Sequence, residues 1–303
     1  LPETLTSLLR QEIEGGKIDL VDDGSSDDTA AVARSLSVGT GSSMELEVLK
    51  AGSRPPGWSG KIHALEQGYQ AVLADATRAG LDPPKWVLLT DADIYHRNGS
   101  IASLLLQAEP ISGGDSFDLV SVMARLRADS FWEGVIIPAF VFFFQLLFPF
   151  RRVARPRSRV AAAAGGCGLV RRSVLKEAGG LAGVRGEIID DVALAKAVKG
   201  AGGRTWLGFD PGICSLRSYS RLSGLWAMVS RTAFTQLRHS LALLLLTQAA
   251  LAVFVVSPPI VIGWVLSAMP SALEAASISL ERALVWATLT WGLMGVALLP
   301  AVR

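Results

Sequence analysis

Charge is scarce in this 303-residue chain: 18% of its residues are Asp, Glu, Lys or Arg, against about 25% in an ordinary soluble domain. Cysteine is scarcer still. Cys167 and Cys214 are the two present, far apart and without metal-ligand spacing. That excludes a disulfide framework and suits a reducing compartment. Internal repeats and low-complexity tracts are also lacking. The net charge of +2 says little about partners; the placement of arginine says more. No signal peptide is visible. Leu1 is not an initiator residue and Arg303 directly follows an apolar stretch, so both ends are expected to be cut and that absence carries no weight.

What is abundant is apolar surface. Half the residues are hydrophobic and the mean hydropathy is +0.39. The excess lies mainly after residue 240, which points to membrane segments rather than an oversized core. Residues 241–268 carry no charge and are interrupted by Pro258-Pro259; residues 283–302 form a second uncharged stretch of spanning length. Arginines crowd the side before residue 241, so the positive-inside rule puts the large N-terminal part in the cytoplasm. Residues 135–150 (VIIPAFVFFFQLLFPF) are uncharged and Phe-rich, and Arg151, Arg152, Arg155, Arg157 and Arg159 follow at once. Sixteen residues are short for a perpendicular span of about 20. An interfacial helix beside anionic headgroups is expected there, with a buried core helix plus a solvated basic loop as the alternative.

Before residue 135 the chain alternates helix and strand. Residues 1–14, 30–36, 61–72 and 100–107 have helical periodicity, while 17–21, 44–49, 86–90 and 117–126 read as strands. This order predicts an α/β fold with a mostly parallel sheet. In such sheets ligands bind beyond the carboxyl ends of strands, and that is where the acids gather. The run Trp86-Val87-Leu88-Leu89-Thr90 ends in Asp91 and Asp93, which an extended chain would point the same way. Two hard oxygen ligands there suit Mg²⁺ or Mn²⁺, with the remaining ligands from water and substrate phosphate. A solvated strand end before a turn is the ordinary alternative.

Asp22 and Asp23 close an earlier strand, where a capped loop would account for them equally well. Lys61 opens a helix after a Pro- and Gly-rich loop and is placed to meet phosphate, or to be an exposed lysine. Gly165 and Gly166 lie in a small-residue stretch, 161–170, that lets backbone approach a ligand closely. Asp190 and Asp191 precede a helix with Val192, Leu194, Ala195 and Val198. They are helix caps or, in the sharper reading, a general base able to deprotonate a hydroxyl nucleophile. Arg238, near the membrane boundary, would pair with phosphate or merely anchor its helix.

Taken together, VDDGSSDDT (21–29), GWSGK (57–61), TDAD (90–93) and IIDD (188–191) resemble the family 2 glycosyltransferases, in that family's order. The GWSGK loop, the apolar segment and QLRHS (236–240) look most like the bacterial hopanoid-biosynthesis-associated glycosyltransferases. The resemblance implies a GT-A fold, a nucleotide-diphosphate sugar donor, a divalent metal and an inverting mechanism. It implies that Asp23, with Asp22 beside it, meets the nucleotide base or ribose, and that Lys61 lies near the nucleotide or diphosphate. Asp91 and Asp93 would form the DxD pair, with Asp93 the metal ligand. Asp191 would be the base, and Asp190 stands where the family usually has Glu. His239 stands where processive members have Trp, which argues against polymer synthesis. The family's opening strand would precede Leu1.

The expected organisation is a catalytic domain over 1–230, with an apolar helix and basic loop at 133–160, and a membrane region over 231–303. The expected protein is a multi-pass enzyme of the inner (cytoplasmic) membrane, with donor, lipid acceptor and membrane as partners and no nucleic acid. A metal-dependent phosphohydrolase and a non-catalytic membrane scaffold are the competing readings.

Overall fold

A computed structural model describes residues 1–37, 44–111, 113–237, 240–257, 259–264, 285 and 287–289. The chain divides into two units, one of Leu1–Arg127 with Leu147–Ser218, the other of Ala128–Leu146 with Tyr219–Arg303.

The first unit begins with α1 (Pro2–Leu9), shorter than the helix the periodicity predicts, and burying Leu5, Leu8 and Leu9. Then come β1 (Lys17–Asp22), α2 (Thr29–Ser37), β2 (Glu45–Lys50) and α3 (Gly60–Ala79). β1 and β2 pair in parallel as a separate two-stranded sheet. Lys17 on β1 binds them to α3 through Glu47 and Asp75. β3 (Trp86–Thr90) and β4 (Ile94–His96) follow, then α4 (Ser100–Ala108) and β5 (Leu119–Arg125).

The remaining strands, β6 (Cys167–Arg171) and β7 (Thr205–Ser215), complete a five-stranded sheet in the order β3-β6-β5-β7-β4. Within it only β5 and β7 are parallel; β6 runs antiparallel to β3 and β5, and β4 antiparallel to β7. The larger sheet is therefore mixed, not mostly parallel. Nothing in a short apolar run marks the direction of the strand it forms. β6 also reads as a strand of any direction, because a strand covered on both faces has no alternation to reveal it. β5 shows this best: Leu119 packs in one core with Val170 and Leu194, while its neighbour Val120 packs in the other with Leu169 and Ile213.

α7 (Arg172–Glu177), a single 3₁₀ turn (Leu181–Val184) and α8 (Asp190–Gly200) cover the first of these cores. Within the small-residue stretch Ala161, Ala163 and Cys167 are buried, and residues from Cys167 to Arg171 are strand.

The second unit contains most of α5 (Phe131–Leu147), which begins four residues earlier than the sequence suggests and admits Pro138. With α6 (Phe150–Val153) it forms a 23-residue stretch whose most apolar 18 residues have a mean hydropathy of 1.9 and are 17% buried. By length and composition this is long enough to cross a membrane, where a 16-residue interfacial helix is expected. Among the described residues it is the one helix that meets both criteria. Glu133, fully buried, accepts the N–H groups of Ser130 at 2.9 Å and Tyr219 at 2.5 Å. α9 (Leu222–Gln236) and α10 (Leu241–Leu251) follow, and a π-helical turn, Ala252–Val256, continues α10. The expected span at 283–302 lies almost wholly outside the described residues.

Candidate active site

At the end of β3 the main chain is held before it turns. Asp91 N–H and Thr90 Oγ1 both donate to Gly166 O, each at 3.1 Å. Ile94 N–H then closes a turn on Asp91 O at 3.2 Å. This presents the Asp91 carboxylate at the mouth of a cavity whose wall includes Ile62, Leu65, Leu119 and Leu194.

α3 brings Lys61 to the same mouth. Ser59 caps that helix by accepting Ile62 N–H at 3.3 Å, which leaves Lys61 as the second residue of its first turn. Its Nζ lies 2.9 Å from Asp91 Oδ1 and 3.2 Å from Asp190 Oδ2, and donates to Gly165 O at 3.4 Å. Burial disfavours the ammonium, yet the charges of Asp91 and Asp190 outweigh it and hold the Lys61 pKa above its ordinary value.

α8 supplies Asp190 and Asp191 in its first turn, and Asp191 Oδ1 accepts Val192 N–H at 2.7 Å. Burial, reinforced by the neighbouring charge of Asp190, pushes the Asp191 pKa from 3.8 up to about 7. Asp91 is also raised, by burial first, with Lys61 opposing and the charges of Asp93 and Asp190 adding. Three stretches that are 30 and roughly 100 residues apart in the chain thus meet on one ammonium group.

The other expected residues divide. Asp23 lies at the start of α3: a Cβ on Gly60 would sit 2.9 Å from Asp23 Oδ2 and 3.1 Å from Arg54 Nη1. Asp22 does not join them; it accepts Ser25 N–H at 2.8 Å and closes its own loop. The Ser25 hydroxyl, and next that N–H, hold its carboxyl below the usual range. Asp93 is half-buried and near enough for its charge to act on Asp91, but no described residue pairs with its side chain. Gly165 leaves room at the centre, since a Cβ there would lie 3.2 Å from Asp191 Oδ2 and 3.6 Å from Lys61 Nζ. Gly166 serves packing instead: its Cβ would meet Ile94 Cδ1 at 3.0 Å. Arg238 lies outside the described residues.

Gly60→Ala is therefore an informative substitution. Alanine favours a helix by about 1 kcal/mol over glycine, so folding should hold or improve. If Asp23 meets the nucleotide, as the motif resemblance implies, displacing it should weaken nucleotide binding about tenfold, which titration calorimetry on the variant would read.

Sequence reasoning missed His96, which is fully buried and whose Nε2 lies 2.9 Å from Thr90 Oγ1. Burial lowers its pKa to about 4, so the imidazole stays neutral at ordinary pH. It also missed Thr4, Ser7 and Gln11, all buried. Thr4 and Ser7, one turn apart beside the leucine stripe of α1, with Gln11 just past its end, are a signal that was there to read.

The family model for glycosyl transferase family 2 matches residues 1–179, more than half the chain. The chain belongs to glycosyl transferase family 2. The matched stretch contains Asp22, Asp23, Lys61, Asp91, Asp93, Gly165 and Gly166, and stops short of Asp190 and Asp191. Family 2 membership accounts for the α/β fold, and it makes sugar transfer from a nucleotide-sugar donor to an acceptor the activity class. Among curated proteins none matches the chain. Twelve solved chains do. One is a mycobacterial protein known from a crystal structure, 15% identical, with TM-score 0.40 over 77% of this chain and 72% of that one.

Proposed function

We propose that the protein is a membrane-bound, inverting glycosyltransferase that moves a sugar from a nucleotide-diphosphate donor to a lipid acceptor. The observation that carries this reading is the Lys61 ammonium bridging Asp91 and Asp190, with Asp191 at its side. In the proposed reaction Asp191, with a pKa close to working pH, takes the proton of an acceptor hydroxyl. The hydroxyl oxygen forms its bond to the anomeric carbon on the face opposite the diphosphate. The bond from that carbon to the diphosphate oxygen breaks, and nucleoside diphosphate leaves. Lys61, and Asp23 at the start of α3, orient the donor, and Gly165 keeps the space between base and ammonium open.

The charges favour a divalent cation. Lys61 against Asp91, Asp93 and Asp190 leaves the cluster at about −2, and at about −3 with Asp191 ionised as the base, which would repel a diphosphate. No group of three or more His, Cys, Asp or Glu is gathered to hold a metal among the described residues. The protein's share of the ligands would be Asp93, free of other partners among the described residues, and Asp91. That hard-oxygen set suits Mg²⁺ or Mn²⁺ completed by phosphate and water. When bound, the ion would stabilise charge developing on the leaving diphosphate.

A lipid acceptor at the cytoplasmic face of the inner membrane fits the exposed apolar residues of α5, among them Phe131, Trp132 and Val135. It also fits the five exposed arginines between residues 151 and 159. Spans at 241–268 and 283–302 remain part of this proposal, and a hopanoid acceptor follows from the motif resemblance.

The test is a panel of nucleotide sugars offered with Mn²⁺ to the protein in membranes. Metal-dependent release of nucleoside diphosphate from one donor, with no action on phosphomonoesters, is expected. Phosphomonoester hydrolysis would favour the phosphohydrolase reading. No metal-dependent nucleotide binding, and no effect of Asp91→Ala or Asp93→Ala, would favour the scaffold.

A further inference from the structure

We infer that the polar edge of α1, continued by Gln11 just past its end, is a positioning device for the acidic turn Asp91-Ala92-Asp93, an inference that rests on the reading of that pair as the donor-binding acids. Thr4, Ser7 and Gln11 are each 3% exposed or less. Burying polar groups costs free energy unless they are hydrogen-bonded, and apolar side chains would dock a short helix more cheaply. These three side chains, however, bond to main-chain atoms of one segment. Thr4 Oγ1 donates to Ala92 O at 2.9 Å, and Ser7 Oγ accepts His96 N–H at 3.0 Å. Gln11 Nε2 donates to His96 O at 3.1 Å and Arg97 O at 3.0 Å, while its Oε1 accepts Ile101 N–H at 3.4 Å.

The turn is gripped from the other side as well. Leu216 N–H donates to Asp93 O at 2.7 Å and Asp91 N–H to Gly166 O at 3.1 Å. The main chain is therefore tied at 91, 92 and 93. That is the part of the chain with most need of it, because the Asp93 side chain has no partner among the described residues and its charge opposes that of Asp91. Without outside support two like charges on a three-residue connection would splay apart. α1 supplies the support, and its leucines keep it seated.

The experiment measures binding of UDP and, in parallel, GDP to the full chain in the presence of Mn²⁺, with hydrogen exchange followed in the 91–96 segment. Thr4→Val keeps the shape and removes the donor. It should weaken whichever diphosphate binds about 3–10-fold, the worth of one such hydrogen bond, and speed exchange in that segment. Thr4→Ser should restore both. Added to Asp93→Asn, Thr4→Val should cause no further loss, because the acid it positions is gone. A Thr4→Val protein that melts lower yet binds diphosphate like the parent would overturn the inference. If Thr4→Val does not fold, Ser7→Ala is read by the same two measurements. Loss of binding in Asp93→Asn but not in Thr4→Val or Ser7→Ala sinks the clamp alone. Full binding in Asp93→Asn sinks the donor reading and the clamp with it.

Discussion

Asp191→Asn is expected to cut turnover by a factor of about 10²–10⁴, the usual worth of a positioned general base, while leaving donor affinity within about twofold. The same variant should be more stable than the parent in metal-free buffer at pH 8. The sign follows from the direction of the shift. Asp191 titrates near 7 when folded and near 3.8 otherwise. Between those values the folded protein holds a proton that the unfolded chain has released, so stability falls as pH rises through that window. Asn cannot titrate, and its melting curve should lack this component. The gain above pH 7 should be about 2–4 kcal/mol, or several degrees in Tm for a unit of this size. Loss of activity together with gain of stability separates a functional acid from a helix cap, because a cap replaced by Asn would change neither by much.

Lys61→Met should have the second-largest effect, and in the opposite direction on stability. It leaves Asp91 and Asp190 facing one another and Asp191 without their shared counter-ion. Because Lys61 is partly exposed, solvent screening reduces the penalty, which is expected to be about 1–3 kcal/mol at pH 8. Removing the cation raises the pKa values of the acids it served. The destabilisation should therefore shrink as pH falls and those carboxyls take up protons, and it should be small at pH 5. Donor binding should fall by at least tenfold at every pH, since Met cannot meet a phosphate. A Tm deficit that is constant from pH 5 to pH 8 would contradict the assignment of Lys61 as the ammonium these acids share.

Much of the site was legible because its chemistry sits where patterns break. Trp86–Thr90 stops at Asp91, and helical periodicity begins at Gly60–Lys61 and again at Asp190. What the pattern does not encode is the partner of each strand. β3, β5 and β6 are apolar whichever way their neighbours run, so mixed pairing was invisible and β4, three residues long, was absorbed into a turn. Asp22 and Asp23 are indistinguishable on paper; a single bond from Ser25 N–H sends one into its loop and leaves the other beside Gly60. Gly165 and Gly166 divide for a similar reason, one facing Lys61 and one facing Ile94. The polar residues of α1 went unread because a leucine stripe was enough to explain the helix.

The stereochemistry of the product tests the central claim most directly. With the donor selected by the nucleotide-sugar panel and water as a slow acceptor, proton NMR of the freshly released sugar reports its anomeric configuration. A base at Asp191 acting opposite the diphosphate predicts that an α-linked donor gives the β-sugar first, before mutarotation. Release of the α-sugar would contradict it.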